Sequence, residues 1–140
     1  MKIKYDISLM KFMSLFENLT HASLKDCFID EKTNTLVFVV QPGQIGKALG
    51  KKAANVKKLE NKLQRKIRII EYHPDKLEFI RNMIMPLRAE DISADEEGIV
   101  TITGSDTKTK GLIIGRNAQN LRNLEANVRR YFDVKEIKVV

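Results

Sequence analysis

The chain has 140 residues and a formal net charge of +7, with 43% hydrophobic and 31% charged residues. This is the composition of an ordinary globular protein, and no apolar run is long enough to predict a signal peptide or a membrane span. Cys27 is the only cysteine, which excludes an intramolecular disulfide and agrees with a reducing, cytoplasmic location. We expect Cys27 to be a buried thiol that fills core space.

The first half of the chain is predicted to fold as helix, strand, strand, helix, turn, helix and strand. Asp6 can cap a helix that runs to about Leu19, and we expect its broad apolar face to be mostly buried. Strands over residues 24–29 and 35–40 are joined by a polar turn of hairpin length, and the second is predicted to be central in a sheet. The remaining predicted elements are a short helical turn over residues 44–49, a turn at Gly50, a helix over residues 53–64 and a closing strand over residues 67–70.

The second half is predicted to repeat the same order of elements. Pro74 suits the first position of a helix that ends before Pro86. The elements predicted after this helix are a weak strand over residues 87–92, an acidic turn over 95–98, a strand over 99–103, a helix over 107–114, a turn over 115–118, a helix over 119–131 and a closing strand over 134–139.

A repeat in the sequence explains why the two halves agree. Residues 46–55 read Gly-Lys-Ala-Leu-Gly-Lys-Lys-Ala-Ala-Asn, and residues 111–120 read Gly-Leu-Ile-Ile-Gly-Arg-Asn-Ala-Gln-Asn. The same offset of 65 residues then places Leu59 on Leu124 and Glu60 on Glu125. The sequence therefore predicts an α+β chain of two small domains, residues 1–72 and 73–140, with little linker and with each packed against the other for stability.

The positive charge is concentrated in the first half. Residues 1–72 contain fourteen Lys or Arg against seven Asp or Glu, whereas residues 73–140 contain eleven of each. Between positions 47 and 68, nine cationic residues face only Glu60. Such a cluster is typical of a surface that binds a polyanion, although a solvated helix face in a Lys- and Glu-rich protein is the alternative.

Each glycine turn has the features of a phosphate site. Gly50 and Gly115 lack the Cβ atom that would block a ligand, and the helix that follows directs its N-terminal amides towards the turn. A helix-capping glycine in a tight corner is the structural alternative, but a basic residue follows the glycine in both copies. The spacing fits neither a nucleoside triphosphatase loop nor a dinucleotide-binding turn.

These turns, in this order of elements, resemble those of tandem K-homology (KH) domains of type II. In that family a G-x-x-G loop between two helices clamps the backbone of about four unpaired nucleotides. The matching loops are residues 50–53 and 115–118, and both carry Ala in place of the fourth Gly. Because Ala is small enough to begin the next helix, we expect close approach of the RNA backbone to survive.

The resemblance implies single-stranded RNA as the partner of both loops. Lys51, Lys52 and Arg116 are expected to neutralise phosphates, while Asn117, Gln119 and Asn120 are expected to contact sugar or base edges. The full set of predicted RNA-binding residues is Gly46, Lys47, Gly50, Lys51, Lys52, Ala53, Asn55 and Lys57 in the first copy, and Gly111, Gly115, Arg116, Asn117, Ala118, Gln119, Asn120 and Arg122 in the second.

The second loop is similar to those of transcription termination and antitermination factors, so that nascent RNA and RNA polymerase are the implied partners. The polymerase-binding domain of larger relatives has no counterpart in these residues. A ribosome-associated or RNA-processing KH protein and a protein-interaction adaptor remain alternatives. We expect no enzyme, cofactor, metal or small-molecule substrate, because His21 and His73 lack ligand spacing and the acidic residues have no paired nucleophile.

Overall fold

A computed structural model describes residues 5–140, which divide after His73 into two compact units, called unit 1 and unit 2 in chain order. Each unit contains three helices and a three-stranded sheet, in the same order along the chain. The elements of unit 1 are α1 (Ile7–Thr20), β1 (Leu24–Asp30), β2 (Thr35–Val40), α2 (Ile45–Leu49), a 3-10 turn (Lys51–Ala53), α3 (Ala54–Leu63) and β3 (Lys66–Glu71).

The first helix begins where the sequence predicts but buries less of its surface. The Asp6 carboxylate accepts a hydrogen bond from the Leu9 amide at 2.8 Å, which confirms the predicted cap. The prediction that α1 is mostly buried is wrong, because Ile7 is 73% and Met10 is 54% exposed. The helix packs through part of the predicted face, in which Phe16 is fully buried and Phe12 and Met13 are partly buried.

The sheet of unit 1 is built around β2, as predicted. β1 pairs with β2 antiparallel and β3 pairs with β2 parallel, and all six residues of β2 are buried. Phe16 of α1 stacks on Phe38 of β2 with ring centroids 4.3 Å apart. The Cys27 side chain is fully buried in this core, which confirms the prediction of a buried thiol.

Unit 2 repeats this architecture with small shifts at the ends of its elements. Its helices and strands are α4 (Lys76–Ile84), β4 (Ala89–Ala94), β5 (Ile99–Gly104), α5 (Thr107–Ile114), α6 (Gln119–Val128) and β6 (Glu136–Val139), with a 3-10 turn at Arg116–Ala118. β4 pairs antiparallel and β6 pairs parallel with the central strand β5. The weak strand predicted over residues 87–92 therefore lies two residues further along the chain.

Two predicted helix ends in unit 2 are wrong. Pro74 does not begin α4, because Asp75 is the N-cap and its carboxylate accepts the Leu77 amide at 2.9 Å. α6 ends at Val128 rather than Tyr131, and the Arg129 side chain then donates to the Val134 carbonyl at 2.8 Å. That contact fixes the chain between α6 and β6.

A repeated glutamate joins the last helix of each unit to its last strand. Glu60 Oε2 accepts the Ile67 amide at 3.2 Å, and Glu125 Oε2 accepts the Ile137 amide at 2.7 Å. Both carboxylates are therefore engaged with the framework. These two glutamates, which are 65 residues apart, therefore link the helix after each glycine turn to the sheet of its unit.

Candidate nucleic-acid interface

The first glycine turn has an unusual backbone. Gly50 has φ 71° and ψ −175°, a region that is essentially restricted to glycine. Lys52 and Ala53 follow with φ values of 53° and 56°, both left-handed. The sequence predicts that Ala53 is the first residue of the helix, but Ala53 does not have helical geometry. It is a left-handed N-cap, and helical geometry begins at Ala54.

The second turn reproduces these dihedrals. Gly115 has φ 74° and ψ 175°, Asn117 has φ 54° and Ala118 has φ 58°, so that each φ lies within 3° of its counterpart in the first turn. Three of the four consecutive residues of each turn therefore have positive φ. The third residue is Lys52 in the first turn and Asn117 in the second, so the backbone shape does not depend on this side chain.

An asparagine holds each turn in this shape. Asn55 Nδ2 donates to the Ala48 carbonyl at 3.0 Å, and Asn120 Nδ2 donates to the Leu112 carbonyl at 3.0 Å. Each bond links the first turn of the later helix to the end of the earlier helix. The amide nitrogen of both asparagines is thus used within the protein, whereas their predicted contact with RNA stays a prediction.

The same asparagines explain the glycines. A Cβ atom added at Gly50 would lie 2.8 Å from Asn55 Nδ2, and one added at Gly115 would lie 2.5 Å from Asn120 Cγ. Together with the backbone dihedrals, this contact excludes a larger residue at both positions. The glycine and the asparagine five residues later form one structural pair in each unit.

The helices after the turns have N-termini without side-chain caps. No side chain bonds to the first amides of α3 or α6, and neither first turn contains an acidic residue. By contrast, an aspartate caps α1, α4 and α5. The hydrogen bond from the Thr109 amide lowers the pKa of Asp106, the α5 cap, as expected for a carboxylate at a helix N-terminus. The Ala54 and Gln119 amides donate to the Lys51 and Arg116 carbonyls, and the positive end of each helix dipole favours an anion beside the glycine turn.

The cations of unit 1 lie mostly on the surface around its turn. Exposed lysines are found at positions 47, 51, 52, 57, 58, 62 and 66. Arg65 is half-buried and donates to Asn34 Oδ1 at 3.3 Å. Arg68 belongs to the sheet, and its burial lowers its pKa. Most of these exposed lysines belong to the turn and to α3, and Lys47 and Lys66 lie just outside them.

The structure brings the predicted site residues of each unit together around its own turn, and none of them is buried. Those of unit 1 with exposed side chains or backbone are Gly46, Lys47, Lys51, Lys52, Ala53 and Lys57, and those of unit 2 are Gly111, Arg116, Asn117, Gln119, Asn120 and Arg122. Gly50, Asn55, Gly115 and Ala118 are half-buried. Arg122 also donates to Glu125 Oε1 at 2.7 Å, so its guanidinium is partly engaged.

One residue beside the second turn was missed by sequence reasoning. Leu112 is 49% exposed on α5, an unusual position for a large apolar side chain. The 65-residue offset aligns it with Lys47, a comparison that could have identified it. The aligned position beside the turn is therefore apolar in unit 2 and cationic in unit 1.

Other kinds of site have no structural support in the described part of the chain. Residues 5–140 contain no group of three His, Cys, Asp or Glu side chains that could hold a metal ion. His21 instead ends α1 in a left-handed conformation. Within the same residues, no helix is both long and apolar enough to cross a membrane.

Comparison with known proteins identifies the family. Residues 13–85 match the model of the KH domain. A protein of Methanococcus vannielii named "Probable transcription termination protein NusA" is 35% identical over 142 residues, which cover 100% of this chain and 81% of that protein. A protein of Methanocaldococcus jannaschii with the same name is 29% identical over 91% of this chain and 70% of its own length.

Two further matches extend along nearly the full chain. A protein of Halococcus morrhuae, also named as a probable NusA, is 24% identical and covers 99% of both sequences. The crystal structure of a protein called APE1850 has a TM-score of 0.78 and 25% sequence identity, and the match covers 97% of this chain and 100% of that one.

Proposed function

This chain belongs to the KH-domain family as a NusA-like member, and we propose that it binds single-stranded RNA through both glycine turns and acts on nascent transcripts in termination or antitermination. In this proposal the two units are tandem type II KH domains, corresponding to residues 1–72 and 73–140. RNA polymerase is the protein partner that such a role requires.

The observation that carries the proposal is the pair of exposed turns with uncapped helices behind them. α3 and α6 leave their first amides without a side-chain acceptor, and cations flank both turns. A phosphate beside the turn would be favoured by the helix dipole by about 0.3–1 kcal/mol. Gly50 and Gly115 would allow the sugar-phosphate backbone to approach closely.

Lys51 and Lys52 provide the test of phosphate binding. If about 4 to 6 phosphates are engaged, log affinity should fall with log salt with a slope of about −3 to −4. Replacing both residues, as Lys51→Asp and Lys52→Asp, should weaken binding of unpaired RNA and make this slope shallower by about 1.4, because two phosphate contacts are removed. Filter binding at salt concentrations between about 50 and about 200 mM measures both the affinity and its salt slope.

The matched control carries Lys11→Asp and Lys138→Asp, two exposed lysines outside both turns. The two variants have the same net charge, so that a general electrostatic effect would alter them equally. Wild-type affinity and slope in the Lys51/Lys52 variant would show that the first turn is not the RNA site. Failure of the wild-type chain to bind unpaired RNA at low salt would instead favour a protein adaptor, and preference for duplex RNA would favour a ribosome-associated role.

The role in transcription needs a separate measurement. Addition of the chain to RNA polymerase on a template with a terminator should change the fraction of read-through transcripts. The Lys51/Lys52 variant should lose this effect if RNA contact mediates it. An unchanged read-through fraction with the wild-type chain would limit the proposal to RNA binding.

A further inference from the structure

The outer face of α3 carries cations that the glycine turn does not need. Lys58 and Lys62 are four residues apart, so they lie on the same face of the helix, and both are exposed. Within residues 5–140 neither lysine takes part in an ion pair. We call these two residues the α3 lysine face.

No acidic side chain offsets this charge. Glu60 is the only acidic residue of α3, and its carboxylate accepts the Ile67 amide at 3.2 Å on the inner side of the helix. Like charges four residues apart destabilise a helix by about 0.2–0.5 kcal/mol. The α3 lysine face therefore has a small cost in the unbound protein that a bound anion would remove.

Unit 2 shows that the fold does not require these lysines. α6 has the same length of ten residues, but the positions equivalent to Lys58 and Lys62 are Asn123 and Asn127, which are half-buried. The same framework thus forms with uncharged residues at both places. The lysines are a special property of unit 1 and call for an explanation other than folding.

We propose that the α3 lysine face binds phosphates of the RNA that continues beyond the nucleotides held at the first turn. This inference rests on the proposed function, because it extends the same strand from one site to the next. Lys58 and Lys62 lie about 6 and 12 Å along the helix axis from Ala54, the first residue of α3, given a rise of 1.5 Å per residue. Lys57 is adjacent to Lys58 in the chain and connects this face with the cations at the turn.

Unpaired RNA fits the face better than an acidic protein does, because the face continues a phosphate site. It follows that the length of the RNA matters. A strand of about four nucleotides fills a KH loop and would not reach Lys62, whereas a strand several times longer would.

The test replaces both lysines by the residues of unit 2, as Lys58→Asn and Lys62→Asn. Binding is measured with unpaired RNAs of about 4 and about 20 nucleotides, so that only the longer strand continues beyond the loop. Affinity for the short RNA should stay within about twofold. For the long RNA, two lost phosphate contacts make the salt slope shallower by about 1.4, so that the loss of affinity is about sevenfold larger at 50 mM than at 200 mM salt.

The control carries Lys11→Asn and Lys138→Asn and has the same net charge. An equal loss in this control, an unchanged affinity for the long RNA, or an equal loss for the short RNA would each overturn the proposal. The result also separates the two sites. If the Lys51/Lys52 variant binds normally while the Lys58/Lys62 variant does not, the face binds RNA and the assignment of the turn is wrong.

Discussion

Ala53 and Ala118 adopt a backbone conformation that an L-amino acid occupies at a cost. Their φ values of 56° and 58° lie in the left-handed region, which costs a residue with a Cβ atom about 1–2 kcal/mol. The resemblance to the KH family explains this position, since glycine stands there in the G-x-x-G loop. The turn keeps its shape although the residue suited to it has been replaced.

Replacement of both alanines by glycine should therefore stabilise the protein. The strain that is relieved exceeds the extra entropy that glycine gains in the unfolded chain, and we expect a net increase of about 0.5 kcal/mol per site in the free energy of unfolding. Urea unfolding of the double variant Ala53→Gly and Ala118→Gly measures this change. Ala126, exposed in the last turn of α6, is the control, because Ala126→Gly should lower stability by up to about 1 kcal/mol. A similar loss at the turns would contradict the argument from strain.

The left-handed alanines also mark a limit of sequence reasoning. The position and exposure of both turns could be predicted from the repeated glycines and the charge around them. The conformation could not, because alanine favours helices and nothing in Lys52-Ala53 indicates a positive φ. Asn117 is the one loop residue whose type tolerates this region well.

At the scale of elements, Asn55 and Asn120 link the helices on either side of each turn. Asn55→Ala would remove the bond to the Ala48 carbonyl and should cost about 1 kcal/mol of stability. Without that link the turn should open more often, so that exchange of the Ala53 amide, bonded to the Gly50 carbonyl at 3.2 Å, becomes faster. Hydrogen exchange and RNA affinity should change together.

Asn61 offers the control for this prediction, because it is exposed on α3 outside the turn. Asn61→Ala should leave exchange at Ala53 and affinity for RNA unchanged. If Asn55→Ala behaves in the same way, the asparagine is not what holds the turn.

Most elements could be predicted because the apolar runs and the turn residues between them indicated the same boundaries. The hairpin of unit 1 has polar residues between two apolar runs, and its strands lie within one residue of the prediction. The exposed side of α1 could not be predicted, because Ile7 and Met10 make the helix apolar on more than one face. At α4 two start signals competed, and the hydrogen bond that Asp75 accepts decided the position.

At the scale of the whole molecule, the chain presents two similar frameworks with different surfaces. The turns share their dihedrals and their asparagines, while the excess of positive charge belongs to unit 1. Unit 1 is therefore expected to contribute most of the salt-dependent affinity. The exposed Leu112 suits unit 2 for contact with a base, whose faces are apolar, and hence for selection of sequence.

A reciprocal exchange of Lys47 and Leu112 tests this division. The variant Lys47→Leu and Leu112→Lys keeps the net charge of the chain and moves one cation from the first turn to the second. Because one phosphate contact is lost and another gained, the salt slope should stay within about 0.7 of the wild-type value. The apolar contact with the base is lost, so the spread of affinities among homopolymeric RNAs of A, C, G and U should shrink by about tenfold, or about 1.4 kcal/mol. A wild-type spread in the exchanged chain would mean that Leu112 has no part in choosing the base, and each single substitution, measured in parallel, would show which turn causes any change.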